Sequence, residues 1–442
     1  MAAIPKIGDK VRVTTKDREI LGVVMPNETD TLVLKLDSGY NVGIDKRKIK
    51  KIEIVHKYNP GKEGPIKAAK TKKGLPEIAI LHTGGTIASK VDYRTGGVVS
   101  RFTPEEILSM FPELKDIANI SSKLLFNIWS EDMRFANIKK IARAIMDEAT
   151  DIVEGKSGAK GVILTMGTDY LHYVSAALAF MLQKLPIPVI IVGAQRSSDR
   201  GSSDAAMNLI CAAEFIKQSD YKGIAICMHA SSEDTECNIL HPCKTRKMHT
   251  SRRDAFRPIN CKPIAKIDYH TRKIIYLQGF DVYDPEVSEM LELEEKVGLL
   301  KTYPNMFPEI IDAFKGYKGL VIEGGGLGQM PAASQNQENK LNEKVFDALK
   351  RLIKSGCIVV MTSQCIYGGV QMHVYSKGID LVDAGVIPAK MLSETAFIKL
   401  AWILGNYSKK GTKQEIEKVK EMISEDLVGE MFDVIEKDTF LI

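Results

Sequence analysis

The stretch ILHTGGTIASK, Ile80–Lys90, governs the reading of the whole chain. A short apolar run, Ile78-Ala79-Ile80-Leu81, breaks into Thr83-Gly84-Gly85-Thr86 and resumes with Ile87 and Ala88. Apolar runs of this length bounded by glycine are buried strands that end in a sharp turn. The hydroxyls flanking the glycine pair admit two explanations. One is turn chemistry alone. The other is a nucleophile presented by a loop whose backbone N–H groups, around Gly84 and Gly85, can approach a substrate.

Working outward, strands and helices alternate from Pro76 onward. Candidate strands are IAILHT, KLLFNI, GVILTM, PVIIVGA and GIAICMHA, and the helical stretches between them include ANIKKIARAIMDEATDIV and DYLHYVSAALAFMLQKL. Continuous apolar strands separated by helices indicate a doubly wound parallel sheet, whose ligands sit beyond the carboxyl ends of the strands. This α/β body divides into a larger domain over 76–285 and a smaller C-terminal α/β domain over 286–442. The second carries the strands GLVIEG and CIVVMTSQ and an amphipathic helix ending at Gly356.

The N-terminus differs. Residues 7–56 hold five short segments rich in Val, Ile and Leu, separated by turn residues, which suggests a small SH3-like β-barrel over 1–57. A Pro-, Gly- and Lys-rich linker over 58–75 follows. Residues 1–75 carry a net charge of +8, whereas the remainder carries −3 of the chain's overall +5. A basic appendage on a near-neutral body suits a polyanion partner such as tRNA, and equally a solubilising face.

With 442 residues, the chain is long enough for two or three domains. It has no apolar run of about 18 residues, so no membrane span is expected. The start MAAIPKIGDKVRV lacks the features of a secretory signal. Seven cysteines at irregular spacing fit a reducing cytoplasm better than a disulfide framework. Cys237 and Cys243 flank His241, but without a CxxC pair a metal site is not expected. No GxxxxGK[ST] occurs, and EGGGLGQMP is not a dinucleotide fingerprint, so nucleotide binding by this chain is not expected.

Three strand ends repeat one theme. LHTGGTIAS offers Thr83 and Thr86, LTMGTDYLHY offers Thr165, Thr168 and Asp169, and GAQRSSDRGSSD is a polar passage into a helix. Hydroxyls at such ends lie in a field that favours developing negative charge. Taken singly, each is explained at least as well by a helix cap or a turn; several on one sheet edge favour a site. A threonine needs a base to become a nucleophile, and no GxSxG elbow or histidine motif supplies one. His82 and His172 read as structural. Lysine can serve when burial or nearby cations make its neutral form accessible, and CKTRKMHTSRRDAF places Lys247 among Lys244, Arg246, Arg252 and Arg253.

Together these stretches resemble the bacterial-type L-asparaginase family over roughly residues 76–442. Its two signatures stand here as Thr83–Ala88 and Gly167–Tyr170, with supporting matches in SEDM (Ser130–Met133), GAQR, Lys247 followed by DAF, and GLGQMP. The resemblance implies hydrolysis of a side-chain amide through an acyl-enzyme on threonine, without metal or nucleotide. By position, it implies that Thr86 is the first catalytic threonine, with Tyr93 as its nearby tyrosine. It makes Thr168, Asp169 and Lys247 the second set, and places Ser130, Glu131 and Gly85 at the substrate. The attacking threonine has been read both ways in the family; Thr86 is taken here, with Thr168 positioning or assisting and Thr83 structural. Glu131 and Gln329 stand where members often carry Gln and Asn.

A simple asparaginase has no need of a basic barrel. With that barrel and its segment LKLDSGYNVGID (Leu34–Asp45), the whole chain is similar to the amidase subunits of archaeal tRNA-dependent amidotransferases. That resemblance implies release of ammonia from glutamine or asparagine. A partner, the E-type subunit of such complexes, would use ATP and Mg to convert Glu-tRNA(Gln) to Gln-tRNA(Gln). A homodimer core within an α2β2 heterotetramer is implied too. The alternative is a free-standing asparaginase or glutaminase with an accessory binding domain.

Overall fold

The computed structural model describes residues 5–25, 31–36, 41–58, 72–85, 87, 89–91, 98–100, 104–197, 202–280, 290–408, 412–432, 435 and 437–440. The N-terminal strands are β1 (Lys10–Thr15), β2 (Glu19–Val24), β3 (Thr31–Lys35), β4 (Asn41–Asp45) and β5 (Ile49–His56). They pair antiparallel in the order β4-β3-β2-β1-β5. Alternation puts Val11, Val13, Ile20, Val24, Leu34 and Ile44 on one buried face, while Arg12 pairs outward with Glu19 at 2.7 Å. Among the described residues β4 and β5 do not pair with each other, so what is seen is an open five-stranded sheet rather than a closed barrel.

The larger body is built on β6 (Glu77–His82), the hairpin strands β7 (Ser89–Val91) and β8 (Val98–Ser100), β9 (Asn119–Leu124), β10 (Ala159–Thr165), β11 (Pro188–Val192), β12 (Gly223–His229), β13 (Glu236–Leu240), the ribbon β14 (Thr245–Lys247) and β15 (Phe256–Pro258), β16 (Ala265–Asp268) and β17 (Ile274–Tyr276). Its eight-stranded sheet has the order β17-β16-β13-β12-β11-β10-β6-β9. The five strands from β12 to β9 are parallel, as their apolar runs require. On the other side, β13, β16 and β17 extend the expected parallel sheet with antiparallel strands. Strand β9 also begins four residues before the apolar run KLLFNI. As the edge strand it needs no continuous apolar sequence, and Leu125 and Phe126 pack on the core after it ends.

Helices α1 (Pro104–Met110), α2 (Phe135–Val153), α3 (Leu171–Met181) and α4 (Ala205–Gln218) cover both faces of this sheet. Alternate residues divide between them: Val162 and Leu164 face one core, and Ile163 faces the other.

In the C-terminal part, β18 (Val297–Lys301), β19 (Gly319–Gly324), β20 (Ile358–Ser363) and β21 (Ile387–Pro388) form a parallel sheet in sequence order. Helices α5 (Pro308–Asp312), α6 (Leu341–Lys354) and α7 (Ser376–Asp383) accompany it, with α8 (Ser393–Tyr407) and α9 (Lys413–Ser424) beyond. Helix α8 packs against both α3 and β19, so it belongs to both sheets. Trp402 stacks on Phe180 with ring centroids 5.8 Å apart. Lys399 and Glu430, both fully buried, pair at 2.6 Å, and Lys399 Nζ also donates to the carbonyls of Ile423 and Glu425. No helix among the described residues is long and apolar enough to cross a membrane.

The glycine pair that follows β6 is left-handed, with φ +113° at Gly84 and +84° at Gly85. A Cβ on Gly85 would stand 2.5 Å from the Gly167 nitrogen, so the two motifs meet backbone to backbone. Gly85→Ala is therefore expected to cost about 1–2 kcal/mol from φ alone, with the contact adding to it; an unchanged calorimetric melting temperature overturns this. His82 lies beneath the same loop, and burial pushes its imidazole down to about 4. The unfolded chain takes up that proton near pH 6.5, so stability should fall by about 1.4 kcal/mol per unit as pH drops from 6.5 toward 4. Urea unfolding of His82→Gln should show a shallower decline over this window than the parent chain.

Candidate functional site

Strands β6 and β10 are neighbours in parallel register, with Leu81 opposite Leu164 and His82 opposite Thr165. The chain runs from β6 to β9 on one side and then to β10 on the other, so the sheet's direction of winding reverses at this pair. Loops that part in this way leave a crevice beyond the strand ends. Thr83–Gly85, the described start of the first motif, and the second motif leave the sheet at this point. Thr83 is buried and committed: its amide N–H and its Oγ1 each donate to the Thr165 carbonyl at 3.1 Å. His82 is held at Nδ1 by Thr165 Oγ1 (2.7 Å) and at Nε2 by Ser122 Oγ (3.1 Å). It is a neutral structural histidine, as expected.

The second motif forms the described centre of the site. Lys247 Nζ donates to Thr168 Oγ1 at 2.9 Å and to Asp169 Oδ1 at 2.8 Å. The Lys247 side chain is 10% exposed and that of Asp169 is 60% exposed, so the lysine lies beneath and the carboxylate faces outward. Ser130, in the 3-10 turn Ser130–Asp132, is buried and accepts at Oγ from the backbone N–H groups of Asp169 (3.1 Å) and Tyr170 (3.3 Å). Its hydroxyl donates to Glu131 Oε2 at 3.3 Å, and the Glu131 side chain is exposed. Gly193, after β11, leaves room for Thr168: a Cβ there would meet Thr168 Cγ2 at 2.7 Å.

Of the residues singled out from sequence, the structure brings together Gly85, Ser130, Glu131, Thr168, Asp169 and Lys247. Thr86 and Tyr93 lie outside the described residues. The cationic cluster around Lys247 proves to be largely paired. Arg252 meets Asp254 at 2.8 Å, Arg257 also meets Asp254, Arg253 meets Asp234, and Arg246 meets Glu394 at 3.1 Å. Charges already matched to carboxylates perturb a neighbouring lysine much less than bare ones. Reading along the chain reveals the cations; of their carboxylates, Asp254 lies within the same stretch, whereas Asp234 and Glu394 lie outside it.

A polar network backs the site. Asp204 accepts from the Gln195 and Arg196 amides at 2.9 and 3.0 Å, and Asn208 Nδ2 donates to the Gly193 carbonyl at 3.0 Å. Asn208 Oδ1 meets His229 Nδ1 at 2.6 Å. This fixes the GAQR passage whose glycine touches Thr168. Sequence alone suggests only a polar turn there; Asp204 at the start of α4 is the available signal. Among the described residues no cluster of three or more His, Cys, Asp or Glu could hold a metal ion. Cys237 is buried and donates its thiol to Asn208 Oδ1 at 3.5 Å. A cleft of about 430 Å³, lined by Ser130, Tyr170, Tyr173 and Phe397 among others, leads away between the two parts of the body.

A carboxylate, an ammonium and a hydroxyl held within hydrogen-bonding reach can shuttle a proton and bind a charged amine. Comparison with known proteins agrees with that chemistry. Residues 77–278 match the model "Asparaginase, N-terminal", residues 296–419 the "Glutaminase/Asparaginase C-terminal domain", and residues 5–55 the "GatD N-terminal domain". The chain is 45% identical to the D-type subunit of the glutamyl-tRNA(Gln) amidotransferase of Pyrococcus furiosus, over 99% of this chain and 97% of the relative. It is 44% identical to that of Archaeoglobus fulgidus, over 96% and 95% respectively. Among solved structures, the thermostable L-asparaginase from Thermococcus kodakarensis superposes with a TM-score of 0.70 at 26% identity, covering 81% of this chain and all of that one. A probable cytoplasmic L-asparaginase from Campylobacter jejuni gives 0.62 at 26% identity, covering 79% and 99%. Near-complete coverage by the amidotransferase relatives, across all three matched regions, places the chain in the family of glutamyl-tRNA(Gln) amidotransferase D-type subunits, with an asparaginase-type body.

Proposed function

We propose that this chain is the amidase subunit of a tRNA-dependent amidotransferase, hydrolysing the side-chain amide of glutamine or asparagine to supply ammonia. The observation that carries this is the Lys247 ammonium bridging Thr168 Oγ1 and Asp169 Oδ1 at the strand edge where the first threonine motif also ends. Thr86 Oγ1 attacks the amide carbon; the C–N bond breaks, the nitrogen takes a proton and leaves as ammonia, and an ester remains on Thr86. Water then cleaves the ester to the free acid. Tyr93 assists Thr86, while Thr168, linked to Lys247 at 2.9 Å, carries the proton traffic at the leaving nitrogen. The outward carboxylate of Asp169 binds the substrate's α-ammonium group. Ser130, Glu131 and Gly85 frame the rest of the substrate, and the exposed charge of Glu131 sets the preference between substrates.

The chain needs no cofactor for these steps. ATP and Mg act on a partner, the E-type subunit, where the ammonia converts Glu-tRNA(Gln) to Gln-tRNA(Gln) in the cytoplasm. Residues 1–57 are the SH3-like module, 58–75 the linker, and 76–285 and 286–442 the two parts of the amidase. Two amidase chains form the core of an α2β2 assembly. The basic N-terminal region favours contact with the tRNA-bearing complex.

Thr86→Val, Thr168→Val and Lys247→Met should each lower kcat for amide hydrolysis by about 10²–10⁴-fold. Ammonia release measured by a coupled dehydrogenase assay decides the matter, and wild-type turnover in any of the three removes that residue from the mechanism. Co-purification from the native host should recover a second, ATP-dependent subunit. Glu-tRNA added to that complex should raise ammonia release. Turnover indifferent to partner and tRNA, and to deletion of residues 1–75, points instead to a free-standing asparaginase or glutaminase.

A further inference from the structure

The ribbon that carries Lys247 is small. Strands β14 and β15 have three residues each, and a two-stranded ribbon of this size does not hold its own geometry in water. Its position is imposed from outside. Ser175 Oγ on α3 donates to the Pro242 carbonyl at 2.8 Å, and Thr395 Oγ1 on α8 donates to the Cys243 carbonyl at 2.7 Å. The next residue of α8 toward its start, Glu394, reaches Arg246 Nη2 at 3.1 Å. Arg246 directly precedes Lys247, and adjacent strand residues point to opposite faces. Fixing Arg246 therefore fixes the roll of the strand and the direction in which Lys247 leaves it.

We propose that Glu394 is a positioning residue, acting through Arg246 to aim Lys247 at Thr168 and Asp169. This rests on the amidase reading for its catalytic consequence, though not for its geometry. The Glu394 side chain is 6% exposed, and a buried ion pair of this kind contributes little net stability compared with apolar packing. What it supplies is direction. Burial raises the Glu394 carboxyl, with Arg246 acting in the opposite sense. His172 Nε2, 3.9 Å from the same oxygen, is no competing cation, since burial, assisted by Arg246 and Lys247, drives its imidazole down to about 3. Arg246 is thus the charged partner through which Glu394 acts. Helix α8 is in turn held at its start by Ser393 Oγ against Thr362 Oγ1 at 2.9 Å, near the end of β20. The C-terminal sheet, which supplies none of the Thr168–Asp169–Lys247 atoms, is in this way the support for Lys247.

The test uses the full chain with Glu394→Gln, Arg246→Met, Arg246→Lys and the Glu394→Gln/Arg246→Met double variant. Each of the first two should lower kcat for amide hydrolysis by about 10-fold or more, with KM within about two-fold, as expected for a misaimed catalytic group. The double variant should be no slower than the worse single, and Arg246→Lys should recover part of the loss. Acetylation of Lys247, followed by mass spectrometry, should quicken several-fold in both single variants while acetylation of the remote Lys296 stays constant. That labelling does not depend on turnover. A parent chain that releases no ammonia even in complex with its partner subunit and Glu-tRNA sinks the amidase reading, and the labelling still decides the geometry. Unchanged kcat and unchanged Lys247 labelling in folded variants overturn the proposal, as do fully additive effects in the double variant. If Glu394→Gln does not fold, Arg246→Met decides, because its side chain is already 30% exposed.

Discussion

The pairing register between β6 and β10 is the constraint from which the chemistry of this protein is measured. His82 stands opposite Thr165, and one residue beyond each the chain leaves the sheet. Slipping that register by a single residue exchanges the two faces of a strand, which would move Leu81 and Leu164 out of one core and into the other. Because both cores are filled, the register cannot drift. The Thr83 bonds to the Thr165 carbonyl and the His82 bond to its hydroxyl then lock the first residues past the strands. The close approach of Gly85 to Gly167 follows from that lock, and so does the meeting of two threonine loops from distant parts of the sequence.

Most of this frame is legible along the chain, for a physical reason. Strands buried on both faces must be apolar throughout, so GVILT and PVIIV announce themselves. Short runs rich in Val, Ile and Leu between turn residues place five strands in the N-terminal region, where β1 to β5 lie. GLVIEG coincides with β19 from Gly319 to Gly324. The edge is where reading fails. Strand β9 is shifted because an edge strand is under no pressure to be apolar, and the antiparallel strands β13, β16 and β17 are short and follow a turn-rich passage.

At the site, the division is similar. Thr168 and Asp169 stand out because polar residues at a strand end break an apolar pattern, Ser130 through the family resemblance alone, and the three converge. The residues around Lys247 show it as one cation among several, and the family resemblance singles it out. What distinguishes it is its 10% exposure and its two oxygen partners, neither of which a linear pattern encodes. The carboxylates that neutralise Arg246 and Arg253 are equally hidden, since Glu394 and Asp234 lie far from them along the chain, whereas Asp254 stands two residues from Arg252. Local chemistry can be read from neighbours in sequence; electrostatic balance depends on neighbours in space.

Helix α8 has a bearing on synthesis as well as on structure. A ribosome makes the two threonine motifs, Ser130 and Lys247 long before it makes Ser393 and Thr395. A nascent chain halted between them would display every residue of the Thr168–Asp169–Lys247 group without the helix whose Thr395 holds the Cys243 carbonyl. The buried Lys399–Glu430 pair defers completion further, because the segment from Ile423 to Glu430 must emerge before α8 itself is sealed. Assembly of the centre thus waits on residues translated well after Lys247.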